Sequence, residues 1–247
     1  MTGHDVRPLA LVTGASRGIG AATATALVGA GYEVIRLARS PMPPLAHCHD
    51  LAVDLADAAA RADALAEIRD RFALPEVVVS NAGSFLMAPL EESSDELLRE
   101  QLAINLEAPF AIARSVLPRM RLRGYGTHVL VGSVADLRAY PENAAYAASK
   151  FAARGLHEVL LEEMRGSGVR CTLVSPGPTD TAIWDPMNPD ARGDLPDRAE
   201  MLRPSDVADA ILYAVSAPRH VQVEVIRLGA CWSLGVSRWS LVVGRKS

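Results

Sequence analysis

Cysteine is scarce in this chain. There are three in 247 residues, Cys48, Cys171 and Cys231, far apart and odd in number. Without a Cys-x-x-Cys pair, neither a disulfide framework nor a zinc site is indicated, and Cys171, inside an apolar run, reads as plain core. No apolar run reaches the ~18 residues that a membrane-spanning helix needs. Residues 1–5 hold an acid and no apolar centre, so they do not read as a signal peptide. An excess of basic charge is also missing. The net charge of −4 argues against a general nucleic-acid surface. A reduced, cytoplasmic setting is the expectation, with no membrane and no nucleic-acid partner. What remains is ordinary: 49% hydrophobic and 22% charged residues, enough to bury one large core. No repeat or break in composition marks a second domain, so 1–247 is expected to form one.

Short apolar runs at 9–12, 33–38, 48–53, 77–80, 128–132, 170–175 and 222–228 alternate with longer helical stretches. Such alternation predicts an α/β fold: a doubly wound, Rossmann-like parallel sheet of about seven strands with helices on both faces. The first run leads into Thr13-Gly14-Ala15-Ser16-Arg17-Gly18-Ile19-Gly20 and then an alanine-rich helix to about residue 30. Strand, glycine turn and helix in this order are what a dinucleotide site requires. Free N–H groups at the helix start suit a pyrophosphate. The second run ends at Ala38-Arg39, where NAD-binding folds usually place Asp or Glu. Arg17 and Arg39, with no carboxylate, favour the 2′-phosphate of NADP(H) over the free hydroxyl of NAD(H).

Other residues stand at the carboxyl ends of runs. Asp54 either accepts from an adenine amino group or caps a helix starting near Ala56. Asn81-Ala82-Gly83 follows the fourth run. Asn105 interrupts an apolar helix, as a kink or as a polar group needing partners. Ser133 closes the fifth run. Gly124 and Gly126 are expected to end one helix, and Ser205 to cap the helix 205–217. Residues 178–203 have no period; such a segment is a functional cover or is disordered. The helix 144–165 carries Tyr146-x-x-x-Lys150. Four residues apart, these two share one face. An ammonium beside a phenol that titrates near ~10 is expected to bring its proton transfer closer to neutral pH.

In this order, Thr13-Gly14-x-x-x-Gly18-Ile19-Gly20, Asn81-Ala82-Gly83, Asn105, Ser133, Tyr146-x-x-x-Lys150 and Pro176-Gly177-x-x-x-Thr181 resemble the short-chain dehydrogenase/reductase family in its single-domain form, over nearly the whole chain. The resemblance implies that Tyr146 exchanges a proton with the substrate, that Lys150 lowers its pKa and holds the nicotinamide ribose, and that Ser133 steadies the substrate oxygen. Asn105 would hold a water passing protons to Lys150. Cofactor contacts would come from Thr13, Gly14, Ser16, Arg17, Gly18, Ile19, Gly20, Arg39, Asp54, Leu55, Asn81, Ala82, Gly83, Tyr146, Lys150, Pro176, Gly177, Thr179 and Thr181. Two positions depart from the pattern: Ser80, often Asn, and Thr179, often Val or Ile. A homodimer or homotetramer is implied, built on the long helices up to and including Tyr146.

The expected activity is hydride transfer between NADP(H) and a carbonyl or secondary alcohol, in the direction of ketone or aldehyde reduction. The substrate is a small molecule facing Leu86, Met87, Leu137, Tyr140, Ile183, Trp184 and Met187, with 178–203 as its lid and Arg138 as a candidate acid contact. The competing class is a catalytically silent NADP(H)-binding sensor or scaffold; retention of Asn105, Ser133, Tyr146 and Lys150 speaks against it. An epimerase or dehydratase would need a larger C-terminal region.

Overall fold

The computed structural model describes residues 7–231; the tail residues Trp232, Trp239, Arg245 and Lys246, for which packing on a partner subunit is an expectation, lie outside them. Among the described residues are seven strands: β1 Leu9–Thr13, β2 Glu33–Ala38, β3 Cys48–Ala52, β4 Val77–Ser80, β5 Gly126–Val131, β6 Val169–Pro176 and β7 Val225–Leu228. They form one parallel sheet in the order β3-β2-β1-β4-β5-β6-β7. Six α-helices flank it: α1 Gly18–Gly29, α2 Ala58–Arg71, α3 Asp95–Leu102, α4 Ala108–Arg123, α5 Ala144–Glu163 and α6 Pro204–Ser216. This is the doubly wound, Rossmann-like architecture that the alternating runs predict.

The sheet is buried on both sides, which is why its strands read as continuous apolar runs. Along β1, Leu9 and Leu11 join a core with Ile112, Val116 and Leu117 of α4. Ala10 and Val12 face the other way, into a core with Leu27 of α1 and Val207 and Ile211 of α6. Strand order reverses beside β1, whose neighbours are β2 and β4. The crevice at the carboxyl ends of the strands there is where such sheets hold ligands.

Several boundaries differ from the sequence expectation. Helix α2 starts later, because Asp57 accepts from the N–H groups of Ala59 and Ala60; Asp54 instead accepts from Ala56 N at 3.0 Å. Gly126 does not end a helix but opens β5, packed so closely that a Cβ would lie 2.5 Å from Met120 Sδ. Ser205 does not cap α6. Pro204 holds the first helical position, and Asp206 accepts from Arg203 N at 2.8 Å. The last strand shrinks to four residues, because Gln222 reaches Cys171 N and O with its side chain instead of its backbone. Asn105 sits in a π-helical turn, Ala103–Glu107, between α3 and α4.

Candidate active site

A cavity of about 990 Å³ opens over the carboxyl ends of the strands. The glycine turn after β1 forms one wall. Gly18 has φ +58°, and a Cβ there would come 2.9 Å from Thr181 Cγ2; glycine both permits that backbone and keeps the turn open. Arg17, the residue before α1, makes no side-chain cap, and the first turn carries no acid. The leading N–H groups of α1 are therefore left for a ligand and suit an anion. Ser16, Arg17, Ile19, Ala38, Arg39, Asp54 and Leu55 continue the wall. Arg39 Nη1 lies 3.6 Å from Asp54 Oδ2 in an exposed pair, an arrangement worth at most about 1 kcal/mol. Asn81, Ala82 and Gly83 line the floor, and Pro176, Gly177, Thr179 and Thr181 the far side.

Three expected site residues, the cofactor contacts Gly20 and Thr13 and the catalytic candidate Asn105, stand behind this surface. Gly20 packs α1 against the turn, where a Cβ would lie 2.2 Å from Gly14 O. Thr13 is 1% exposed; its Oγ1 accepts from Asn81 N at 3.0 Å and Ala82 N at 2.9 Å, tying β1 to the loop after β4. Asn105 is a clamp. Its Oδ1 accepts from Ser84 N at 3.1 Å, and its Nδ2 donates to Ser84 O and to Ser149 Oγ, each at 3.0 Å. The side-chain amide thus joins the π-turn to the β4 loop and to α5.

Tyr146 and Lys150, which their spacing puts on one face of a helix, stand on the cavity wall together with Ser133. Ser133 precedes a short 3₁₀ turn, Val134–Asp136, and its Oγ accepts from Ala135 N at 3.1 Å. Lys150 Nζ donates to Val131 O at 3.2 Å and lies 5.7 Å from the Tyr146 ring centroid.

The electrostatics correct one expectation. The Tyr146 phenol is not lowered. Burial pushes it up to about 12; the Ser133 hydrogen bond pulls it down and Asp136 adds to the rise. Lys150 is itself brought down to about 8 by burial, against the pull of Asp136. A phenolate without hydration is costly, and the Lys150 ammonium points at a carbonyl rather than at the phenol.

Asp136, which sequence reasoning passes over, is fully buried. Its carboxylate accepts from Ser175 Oγ and, at 3.5 Å, from Ser133 N. The signal was the Ser133-x-x-Asp136 spacing of a capping box. Phe85 was also missed. Its ring packs edge-on to Tyr146 at 4.6 Å and to Trp184 at 5.0 Å, and no local pattern marks it. Leu86, Met87, Leu137, Tyr140, Ile183 and Trp184 line the cavity as expected, and so does Arg138. Met187 lies behind them, in a cluster with Phe85 and Leu195. Among the described residues no group of three His, Cys, Asp or Glu could hold a metal, and no helix is long and apolar enough to cross a membrane.

A family model described as short chain dehydrogenase matches residues 8–192. An uncharacterized oxidoreductase of Staphylococcus aureus is 29% identical over 226 residues, covering 88% of this chain and 95% of the relative. A 3-oxoacyl (acyl-carrier-protein) reductase from Agrobacterium tumefaciens, solved with NADP bound, is 31% identical and superimposes with a TM-score of 0.78 over 90% of this chain and 93% of its own. A 4-hydroxyisoleucine dehydrogenase complexed with NADH, 24% identical, shares the fold with a TM-score of 0.82 over 93% of this chain and 100% of its own.

Proposed function

The chain belongs to the short-chain dehydrogenase/reductase family, and from that footing we propose that it transfers a hydride between NADP(H) and a carbonyl or secondary alcohol, working as a reductase of a ketone or aldehyde. It is an oxidoreductase of that family; the cofactor preference, the direction and the residue roles are our reading. The observation that carries it is geometric: Tyr146, Ser133 and Lys150 stand together on the wall of a cavity that also takes in the uncapped start of α1.

The cavity fits a dinucleotide. Ser16, Arg17, Gly18 and Ile19 would hold the pyrophosphate, Arg17 and Arg39 the 2′-phosphate, Asp54 and Leu55 the adenine side. Asn81, Ala82 and Gly83 would hold the adenosine ribose, and Lys150, Pro176, Gly177, Thr179 and Thr181 the nicotinamide end. The bound nicotinamide supplies the hydride, which goes to the carbonyl carbon. Tyr146 gives the proton that the carbonyl oxygen takes up, and Ser133 donates a hydrogen bond to that oxygen while charge develops on it. At neutral pH the phenol carries the proton that reduction needs, and burial makes it a weaker acid. Lys150, titrating near 8, is mostly charged at neutral pH and favours the phenolate left behind. Pro109 has no N–H, so the Asn105 carbonyl lacks the usual partner four residues on; that carbonyl, rather than the committed amide, would hold the water that returns a proton to Lys150.

Residues 178–203 form the lid of the substrate side in this reading. Their three 3₁₀ turns are stapled by Arg198, which donates to Asp180 and Asp185 at 2.6 Å each. Exposed Phe110 on α4 and Phe151 and Val159 on α5 support assembly into a homo-oligomer. Three free cysteines accord with a reducing, cytoplasmic setting.

The test is NADPH oxidation at neutral pH against a panel of ketones, aldehydes, diketones and 3-oxoacyl thioesters, with NADH alongside. The Tyr146→Phe variant should lose about 10²–10⁴-fold in kcat and still bind NADPH. A rate that survives in Tyr146→Phe refutes the proton donor, and better service by NADH refutes the reading of Arg17 and Arg39. Tight NADPH binding with no turnover of any carbonyl would favour the sensor.

A further inference from the structure

Asp136 costs more than its visible bonds return. It is fully buried in the three-residue turn Val134–Asp136, whose capping box it completes. Its bond from Ser133 N, at 3.5 Å, is at the long limit of such a contact. Ser175 Oγ donates to the same oxygen, Oδ2, while Oδ1 has no hydrogen-bond partner among the described residues. Among those residues no cation is in ion-pair contact with it either. Gly132 makes the room: a Cβ there would stand 2.7 Å from Asp136 Oδ2 and 3.2 Å from Ser175 Oγ. A buried, under-bonded charge destabilises a core. The capping box does not call for one, since Gln serves in that position as Glu does.

The charge has a counterpart on the same stretch of backbone. Lys150 Nζ donates to Val131 O at 3.2 Å and Asp136 holds Ser133 N, so opposite charges bind backbone groups two residues apart. Lys150 is 6% exposed, and a buried ammonium without an anion nearby gives up its proton. Asp136 acts on it in the sense that favours the ammonium, and it disfavours the Tyr146 phenolate. The other titratable groups around the pair are His157 on α5 and His128 on β5, and burial disfavours the charged form of both. Glu158 and Glu224 act on His157 and not on Lys150. From α3 and the π-turn come the uncharged amides of Gln101 and Asn105, and from β6 the Ser175 hydroxyl and the Cys171 thiol.

We infer that Asp136 is a positioning residue acting through Lys150: its carboxylate, seated in the room that Gly132 leaves, is the fixed counter-charge that keeps the buried ammonium protonated beside Tyr146. This rests on the proposed reductase reading, in which the Lys150 charge favours the phenolate left by proton transfer, and deepens it. A charge in a poorly solvated interior acts across several ångströms, so the carboxylate works without touching the ammonium. Asp136 thereby extends the working range of the proton-transfer set on its alkaline side. Without the carboxylate, Lys150 releases its proton at lower pH, and the phenol, freed from a neighbouring negative charge, ionises at lower pH as well.

The sequence holds two lysines, Lys150 and Lys246, so lysine isotope-labelled at Cε gives two NMR signals, and Lys246→Arg assigns them. Titration of the full chain then reads Lys150 directly. Its midpoint should lie at about 8 in wild type and fall by about one pH unit in Asp136→Asn, the low end for a neighbouring charge. Asp136→Ser removes the same charge with a smaller side chain and should give the same fall; far-UV circular dichroism checks that both variants are folded. In parallel, the alkaline limb of kcat/KM, for the carbonyl best reduced with NADPH, should move down by a similar amount in both. A purely structural role would lower the rate at every pH and leave the limb in place. A Lys150 midpoint unmoved in Asp136→Asn, or moved in one variant only, overturns the inference. If no carbonyl is reduced, the reductase reading fails, and the NMR midpoints still decide whether Asp136 governs Lys150.

Discussion

Replacing Thr13 by Val would separate the support of the cofactor wall from the wall itself. Thr13 is 1% exposed, and valine has the same shape, so no cavity forms. What is lost is one oxygen. Thr13 Oγ1 accepts from Asn81 N at 3.0 Å and Ala82 N at 2.9 Å, and it donates to Val79 O at a marginal 3.5 Å. An N–H left without a buried partner costs about 1–3 kcal/mol. Asn81 and Ala82 are half-buried, so water recovers part of this, and the low end of the range applies to each. The sum is about 2 kcal/mol, a sizeable share of a total stability of about 5–15 kcal/mol. For a chain of this length that corresponds to a fall in Tm of about 4–8 °C. Asn81 and Ala82 line the cavity, so NADPH affinity should fall as well, by about tenfold if 1.4 kcal/mol of the loss is expressed there. Thermal unfolding followed by circular dichroism and a fluorescence titration with NADPH read both effects. Thr13→Ser, which keeps the oxygen, should recover most of each. A Thr13→Val protein melting within about 1 °C of wild type, or a Thr13→Ser protein as damaged as the valine variant, would refute this reasoning.

Lys150 makes stability depend on pH. Its folded pKa, about 8, lies below the ordinary 10.5, so between those values the unfolded chain keeps a proton that the folded chain has released, and stability rises with pH. Tyr146, raised to about 12, acts in the opposite sense only above about pH 10. Relative to Lys150→Met, wild type should therefore gain up to about 1.4 kcal/mol per pH unit from pH 8 to 10 in urea unfolding; a flat difference would show that the lysine is not desolvated. Arg198 bridges Asp180 and Asp185 and accepts Asp190 as a third, longer partner. Arg198→Ala should leave Tm within about 2 °C, as exposed pairs contribute little, while speeding proteolysis between 182 and 200 and raising substrate KM. Cleavage no faster than in wild type would mean that the apolar contacts of Met187 and Leu195 hold the segment by themselves.

Much of this protein was legible in the chain because the determining physics is local. Runs such as 77–80, too short for a helix and bounded by loops, read as strands buried on both faces. A glycine turn between strand and helix brings its own backbone freedom and its own free N–H groups, and a four-residue spacing places Tyr146 and Lys150 on one side of a helix wherever that helix sits. The family and its sheet followed from these. What the tertiary structure decided depends on groups brought together from distant segments. The π-turn at Asn105 is clamped by Ser84, 21 residues away, and by Ser149, 44 residues away. The length of β7 is settled by how Gln222 meets Cys171 on the neighbouring strand. Tyr146 is the sharpest case. The spacing shows the ammonium that would lower its pKa, yet burial decides the outcome and raises it. Desolvation sums over every segment that packs around a group, so no window of sequence contains it.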